Sequence, residues 1–407
     1  MKGLVLGGYG TQGSVICREL TKHPKVSEVM CAGRSFERAK CFVDRFGNQK
    51  ISALQVDLSK LDELQSALKG VDIVINAVSW KYNLKIMKIC IENRISYQDL
   101  ALGYSFEDKE MLMEDALEAE LGLTEKFKET DGTALINTGM DPGISNIIAG
   151  HCADKIDHIY EIRIRDCDVL KTKEPITTWS PYLLWQDMIR KPLVYKDGRF
   201  VRLEPFSEEE TYVFPDPIGP QPCYQHAHEE VVTIPRFIKD LRYVEFKMCG
   251  PDMPFAKTLY DYGLAKTEPI EVKDAKISPL DVFLALTPAP LSIEEVEERI
   301  NDGRLIDEIA CLLLDIKGEK DGFEANYTYY VLMTLKETNE RMRGTTATSY
   351  LTGIGAEVFT ELWVEGKIKT RGVAPAEALT PEERIALIKR LAEKGIRIYE
   401  VVSRPLQ

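Results

Sequence analysis

The chain opens Gly3-Leu4-Val5-Leu6-Gly7-Gly8-Tyr9-Gly10-Thr11-Gln12-Gly13 after Met1-Lys2, and this stretch constrains the fold more than any other. A short apolar run stops at a glycine cluster. An amphipathic run from Ser14 to Lys22 follows, with Val15, Ile16 and Leu20 apolar. Strand, glycine turn and helix, in that order, open the kind of βαβ unit that holds a dinucleotide. In Gly8-x-Gly10-x-x-Gly13 the first glycine is expected to permit the tight turn. The second lets the backbone approach a pyrophosphate, and the third lets helix and strand pack closely. N–H groups at a helix start hold phosphate without net basic charge. The residues expected at a cofactor here are Gly8, Tyr9, Gly10, Thr11, Gln12 and Gly13.

The alternation continues. Strands are expected at Glu28–Ala32, Ile51–Val56 and Val71–Ala77. Helices are expected from Ser35 to Phe46, with Ser35 as N-cap and Gly47 as stop, and at Leu61–Leu68 and Tyr82–Asn93. Val71–Ala77 is continuously apolar, as inside a parallel sheet. The order predicts an α/β fold, a doubly wound parallel Rossmann sheet. Phe106–Thr130 is charged with helical spacing and reads as a covering helix. Thr133–Asn137 reads as one more strand, followed by the sharp turn Thr138–Gly143 and a helix from Ile144.

Beyond residue 155 the pattern changes. Ile162 and Ile164 alternate with Arg163 and Arg165, the signature of a half-buried strand. Asp197-Gly198 and Asp321-Gly322 mark hairpins. Val231–Ile234 and Tyr243–Met248 read as strands, and the proline-rich stretch 214–222 as extended loop. This region predicts an α+β domain inserted at 141–344, between a Rossmann domain at 1–140 and a return at 345–407. The return comprises helices and a last strand, Ile396–Val401.

The second strand of the Rossmann pattern ends Cys31-Ala32-Gly33-Arg34-Ser35. A site for NAD places an acid about 20 residues past the fingerprint, on the ribose 2′-hydroxyl. Gly33 stands there instead, and Arg34 and Ser35 follow. A guanidinium beside a hydroxyl suits a 2′-phosphate, so NADP is the expected cofactor and NAD the alternative. Asp57 would accept from the adenine amino group or serve as a loop or cap acid. Asn76-Ala77-Val78 ends the fourth strand at the carboxyl edge, where ligands lie in open α/β sheets.

Composition removes other classes. The net charge of −13 argues against a nucleic-acid binder. Nine cysteines without a Cys-x-x-Cys pair predict neither a disulfide framework nor a zinc site, and point to a reducing compartment. No stretch of ~20 apolar residues is present, so no membrane span is expected. The strand at the outset leaves no secretory leader, and a cytoplasmic location follows as an expectation. His226 and His228 lie two apart without a third ligand at metal spacing, so no metal is expected. His228 is a candidate for proton transfer or substrate binding, or a structural histidine of the loop.

Several segments together resemble one family. They are Gly7–Gly13, Ala32–Ser35, Val71–Val78, Cys90-Ile91-Glu92 with Tyr97-Gln98-Asp99-Leu100, and Gly139-Met140-Asp141-Pro142-Gly143-Ile144. His228–Pro235, Gly344-Thr345-Thr346-Ala347 and Gly372-Val373-Ala374-Pro375-Ala376-Glu377 complete the set. The chain resembles the saccharopine dehydrogenase (reductase) family, which includes carboxynorspermidine dehydrogenases and lysine 6-dehydrogenase-like proteins. The resemblance implies a Rossmann domain, an inserted domain that closes over a small-molecule substrate and mediates a homodimer, and hydride transfer at a carbon bearing nitrogen. The substrate would be amino-acid-like or polyamine-like. The match of Tyr97–Leu100 makes Asp99 a candidate base or substrate-amine ligand. Two departures stand out: Ser145-Asn146 replaces the Asp-His of saccharopine-reducing members, and Glu229 rather than proline follows His228. A catalytically silent NAD(P) sensor, or a reductase of another substrate class, would share the glycine turn.

Overall fold

A computed structural model describes residues 1–102 and 112–405 of the chain. It separates into two compact units. The first comprises Met1–His158, Val232–Lys239 and Tyr350–Ile398; the second comprises Ile159–Val231, Asp240–Ser349 and the residues from Tyr399 onward.

In the first unit, strands β1 (Lys2–Leu6), β2 (Glu28–Gly33), β3 (Ile51–Gln55), β4 (Ile73–Asn76), β5 (Ser96–Asp99) and β6 (Thr133–Leu135) form a sheet. Helices α1 (Thr11–Leu20), α2 (Phe36–Phe46), α3 (Leu61–Ala67) and α4 (Asn83–Glu92) connect the first five. The order is β6-β5-β4-β1-β2-β3, with a late strand, Gly372–Ala374, beside β6. Every neighbouring pair is parallel. Ile73, Val74 and Ile75 are fully buried, which is what a central parallel strand covered on both faces requires. The order reverses between β1 and β4, and such a switch point opens a crevice at the carboxyl ends of the strands. The expected caps of α2 are present. Ser35 Oγ accepts from Arg38 N–H at 3.2 Å, and Gly47 closes the helix at φ 63°. The part of the long helix Ala347–Glu365 from Tyr350 onward lies against this sheet domain at glycines. A Cβ on Gly353 would lie 2.5 Å from Val15, and one on Gly355 would lie 2.4 Å from the Gly139 carbonyl.

The second unit is built on a nine-stranded sheet. The hairpin Leu305–Lys320 with Phe323–Thr334 turns at Asp321 and Gly322, φ 55° and 78°, the two left-handed positions of a type I′ turn. Asp197 and Gly198 close a second hairpin the same way. The sheet is mixed, because Tyr243–Cys249 runs parallel to His158–Thr172.

Five expectations need correction or completion. Val231–Ile234 lies in a helix, Glu230–Phe237. The β-branched run favours a strand locally, but Val231, Val232 and Ile234 are all buried and tertiary packing overrides propensity. Pro220 and Pro222 stand in a strand, Gly219–Gln225, where the Pro222 carbonyl still accepts from Gly250 N–H at 3.1 Å. The last strand, Ile398–Ser403, joins the second sheet and not the first. It covers the free edge of the Phe323–Thr334 strand, where Tyr399 stacks on Tyr330 at 4.9 Å and Tyr329 donates to the Glu400 carboxylate. Cys223 and Cys249 are joined as a disulfide, because they face each other as register partners on adjacent antiparallel strands; seven cysteines are free. The charged segment after Phe106 forms two short helices, Met113–Leu121 and Thr124–Glu129, and its first residues lie outside the described ones.

Candidate functional site

The glycine turn lies at the switch point. Gly7 and Gly8 N–H both donate to the Ala32 carbonyl, at 2.7 and 3.2 Å, and Gly10 N–H donates to Gly7 O at 2.8 Å. The left-handed residue is Gly7, φ 78°, rather than Gly8. A Cβ on Gly7 would meet the Ala77 carbonyl at 2.6 Å and Val78 at 2.7 Å; one on Gly8 would meet Cys17 and Cys31 at 3.0 Å. Gly13 is the tightest of the four, with its Cβ position 2.2 Å from Gly7 O. Gly10 differs: only Gly7 O, at 3.1 Å, lies near its Cβ position. Helix α1 begins there with no side-chain cap and no acid in its first turn. The N–H groups of Thr11, Gln12 and Gly13 therefore lack helical acceptors and carry the positive end of the dipole.

On the β2 side, the Tyr9 ring lies across Gly33, and a Cβ there would come within 2.5 Å of the ring. The Tyr9 hydroxyl accepts from Ser35 N–H at 3.2 Å, and the Arg38 guanidinium lies 5.0 Å above the ring centroid. Arg34 is exposed beside them, and its carbonyl accepts from Gln55 Nε2 at 3.1 Å. Sequence reasoning missed Arg38, although the spacing of Arg34 and Arg38 was a signal. Asp57 Oδ1 accepts from Ser59 N–H and Oγ, at 2.9 and 2.8 Å, and these bonds hold its carboxyl below the usual range. That oxygen is used by the turn.

On the β4–β6 side the strand ends are joined by a buried polar network. Asn76 Nδ2 donates to Asn83 Oδ1 at 2.8 Å, and Asn76 Oδ1 accepts from Val78 N–H at 3.3 Å. Ala77 N–H donates to Leu6 O at 2.9 Å, which ties β4 to β1 at the crevice. Asn83 Nδ2 donates to Asp99 Oδ2 at 2.9 Å, and Asp99 Oδ1 accepts from Asn137 N–H at 2.8 Å. Asp99 is only 1% exposed and has both oxygens engaged.

His228 belongs to the second unit. Its ring stacks on Phe246 at 3.9 Å. Its Nδ1 lies 2.5 Å from Glu230 Oε2 and 3.3 Å from Glu229 Oε2. Burial pushes the Glu229 carboxyl up to about 7, against the pull of His228. Burial, with His228 adding to it, pushes His226 down to about 3. Donor atoms of His228, Glu229 and Glu230 lie within 4.8 Å of one another. In the sequence Glu229 stands out only as a departure from the family pattern, and neither acid after His228 is singled out as a site residue, because a Glu-Glu pair reads locally as a solvated helix start.

Two family models match the chain in succession, and the second spans residues of both units. A family model described as the saccharopine dehydrogenase NADP binding domain matches residues 4–135, and one described as the saccharopine dehydrogenase C-terminal domain matches residues 139–396. The chain belongs to the saccharopine dehydrogenase family. Among curated relatives of this family member, carboxyaminopropylagmatine dehydrogenase of Synechocystis is 25% identical over 411 residues, covering 100% of this chain and 99% of the relative. Carboxynorspermidine synthase of Vibrio alginolyticus is 25% identical over 393 residues, covering 92% of each. The saccharopine dehydrogenase (L-Glu forming) structure from Saccharomyces cerevisiae superposes with TM-score 0.72 at 16% identity, covering 99% of both chains. A homospermidine synthase from Legionella pneumophila in complex with NAD gives TM-score 0.72 at 14% identity, over 99% of this chain and 91% of that one.

Within this saccharopine dehydrogenase fold, Asn146 accounts for one of the departures noted above. It stands at the start of the helix Ile144–Lys155, where its Oδ1 accepts from Gly143 N–H at 2.7 Å. Its Nδ2 donates to Thr233 Oγ1 at 3.0 Å and to Glu377 Oε1 at 2.6 Å. Asn146 thus ties the Met140–Gly143 turn to two distant segments of the first unit. Gly143, φ 138°, has no room for a side chain: a Cβ would lie 2.1 Å from Gly139 O.

Proposed function

We propose that this chain, an NAD(P)-dependent oxidoreductase of the saccharopine dehydrogenase type, prefers NADP(H) and transfers hydride at a carbon–nitrogen bond of an amino-acid-like or polyamine-like substrate. The observation that carries the reading is the start of α1: uncapped, free of acids, and flanked by Gly10, whose Cβ position meets a single neighbour, Gly7 O at 3.1 Å. Pyrophosphate oxygens would rest on the N–H groups of Thr11, Gln12 and Gly13, with Gly8, Tyr9 and Gly10 shaping the approach. Arg34, Ser35 and Arg38 would hold the 2′-phosphate. Tyr9 supports that preference, because its ring occupies the space over Gly33 where an NAD-selecting acid would stand. Asn76, Ala77 and Val78 would border the other half of the dinucleotide. The curated relatives carry names of carboxylated amine products, which supports the reaction class.

Bound nicotinamide supplies the hydride chemistry. The chain's own residues bind, orient and handle one proton. An amine must be neutral before it gives up hydride, so a group that exchanges a proton near neutral pH is useful. In the His228 cluster Glu229 is that group, with His228 Nδ1 as its neighbour and Glu230 fixing the ring. Asp99, buried and doubly bonded, acts as a positioning residue through Asn137 and Thr138. The family's homodimer and a cytoplasmic location belong to the same proposal; light scattering of the purified chain and cell fractionation test them.

Gly10→Val tests the carrying observation. The variant is expected to keep its Tm and lose at least about tenfold in NADP(H) affinity, read by titration of dinucleotide fluorescence. Full retained affinity would overturn the reading. The reaction class is tested by NADPH oxidation with carbonyl acids plus di- and polyamines. Turnover only with carbonyls in the absence of amines would replace it by another reductase.

A further inference from the structure

One residue at the carboxyl edge of the first sheet has a backbone N–H held by Asp99 and a side chain with no assigned role. Asn137, two residues past β6, is fully buried, and its backbone is left-handed at φ 57°. Among the described residues, neither Oδ1 nor Nδ2 of its side chain has a hydrogen-bond partner. The frame around it is satisfied. Its own N–H is held by Asp99 Oδ1 at 2.8 Å. Thr138 N–H and hydroxyl donate to the Asp99 carbonyl at 3.1 and 2.6 Å. Gln98 Nε2 donates to Thr138 Oγ1 at 2.9 Å and to Ala356 O at 2.7 Å, and Gln98 Oε1 accepts from the Thr360 hydroxyl. A rigid, fully bonded clamp therefore holds one side-chain amide whose two polar atoms are both unmet.

Leaving a buried donor or acceptor unmet forfeits the hydration it had in the unfolded chain and gains nothing in return. Such a group calls for a physical reason, and completion by a bound molecule is one. The chemistry of the amide specifies the molecule. A side-chain carboxamide offers one acceptor and one donor side by side, and another primary carboxamide pairs with both at once. Exchanging Oδ1 and Nδ2 leaves this complementarity unchanged, so it does not depend on how the amide is oriented. The location agrees. In a doubly wound sheet the two strand halves each receive one mononucleotide. Arg34 and Tyr9 stand on the β1–β3 half, and Asn137 stands on the β4–β6 half. Of the two mononucleotides in the cofactor, only the nicotinamide one carries a primary carboxamide.

We propose that Asn137 pairs with the carboxamide of the nicotinamide ring and sets which face of the ring is presented. The inference rests on the dinucleotide reading above. Because the side chain is fully covered, the ring displaces its cover on entry, and Asp99 acts through this clamp by holding Asn137 in place.

The test uses the full chain and three probes at equilibrium: NADP+, its 3-acetylpyridine analogue, which has a methyl ketone in place of the carboxamide, and 2′-phospho-ADP-ribose, which lacks the ring. Wild type is expected to bind NADP+ about tenfold more tightly than the acetylpyridine analogue. In Asn137→Gly, which keeps the left-handed backbone without strain, the two are expected to bind alike. The affinity for 2′-phospho-ADP-ribose should stay within about twofold of wild type. Asn137→Asp, nearly isosteric but without the donor, gives a second variant if the glycine chain does not fold. Overturning results are a variant that keeps the preference for the carboxamide, a wild type with no such preference, or an equal loss for all three probes, which would make Asn137 structural only. Failure of wild type to bind 2′-phospho-ADP-ribose would instead sink the dinucleotide reading itself.

Discussion

The proposed dinucleotide site of the first unit and the histidine cluster of the second are made of opposite materials. The first consists of groups that do not titrate near neutral pH: backbone N–H groups, glycines, the amides of Asn76 and Asn137, and the guanidinium of Arg34. The second consists of His226, His228, Glu229 and Glu230, crowded and largely buried. A site of fixed dipoles holds a charged ligand equally well across pH. A site of buried titratable groups exchanges protons in a range that burial has moved. The comparison separates binding from proton handling, and each half can be broken without the other.

The largest effect is expected at Gly13. A Cβ there would overlap Gly7 O, and both atoms belong to backbone that cannot yield. Gly13→Ala should abolish measurable NADP(H) binding and lower Tm, in contrast to Gly10→Val, which should lose affinity alone. Calorimetry with and without nucleotide distinguishes the two. Next comes the 2′-phosphate. Arg34→Ala, alone and with Arg38→Ala, should reduce the preference for NADP over NAD by about tenfold per guanidinium and leave the NAD affinity unchanged. Equal loss for both dinucleotides would place these arginines elsewhere.

The smaller effects concern pH. Glu229 is raised from 4.5 to about 7, so its contribution to stability is full below 4.5 and fades as pH rises through 7. His226 is lowered from 6.5 to about 3, so its contribution is full above 6.5 and fades as pH falls toward 3. The unit holding this cluster should be most stable between those limits. Glu229→Gln should flatten the alkaline side of the Tm profile and leave the acid side, a change of a few degrees. Over the same range the Kd for NAD, which lacks the titrating 2′-phosphate, should stay level. A strong pH dependence of NAD binding would erase the distinction between the two sites.

What the amino-acid order determined by itself was local backbone. The strand–turn–helix opening, the caps Ser35 and Gly47, and the hairpins at Asp197-Gly198 and Asp321-Gly322 all follow from sterics and hydrogen bonds within a few residues. They were legible because glycine admits left-handed backbone, and serine and aspartate bond to nearby N–H groups, wherever they occur. Long-range packing decided the rest. It turned Val231–Ile234 into a helix, sent the last strand to the second sheet, and moved the left-handed position of the turn to Gly7. It also buried Asp99, with one carboxylate oxygen accepting from Asn137 N–H, and put two carboxylates beside His228. Burial and partnership depend on residues that are distant in the chain, and no local pattern encodes which of them will arrive.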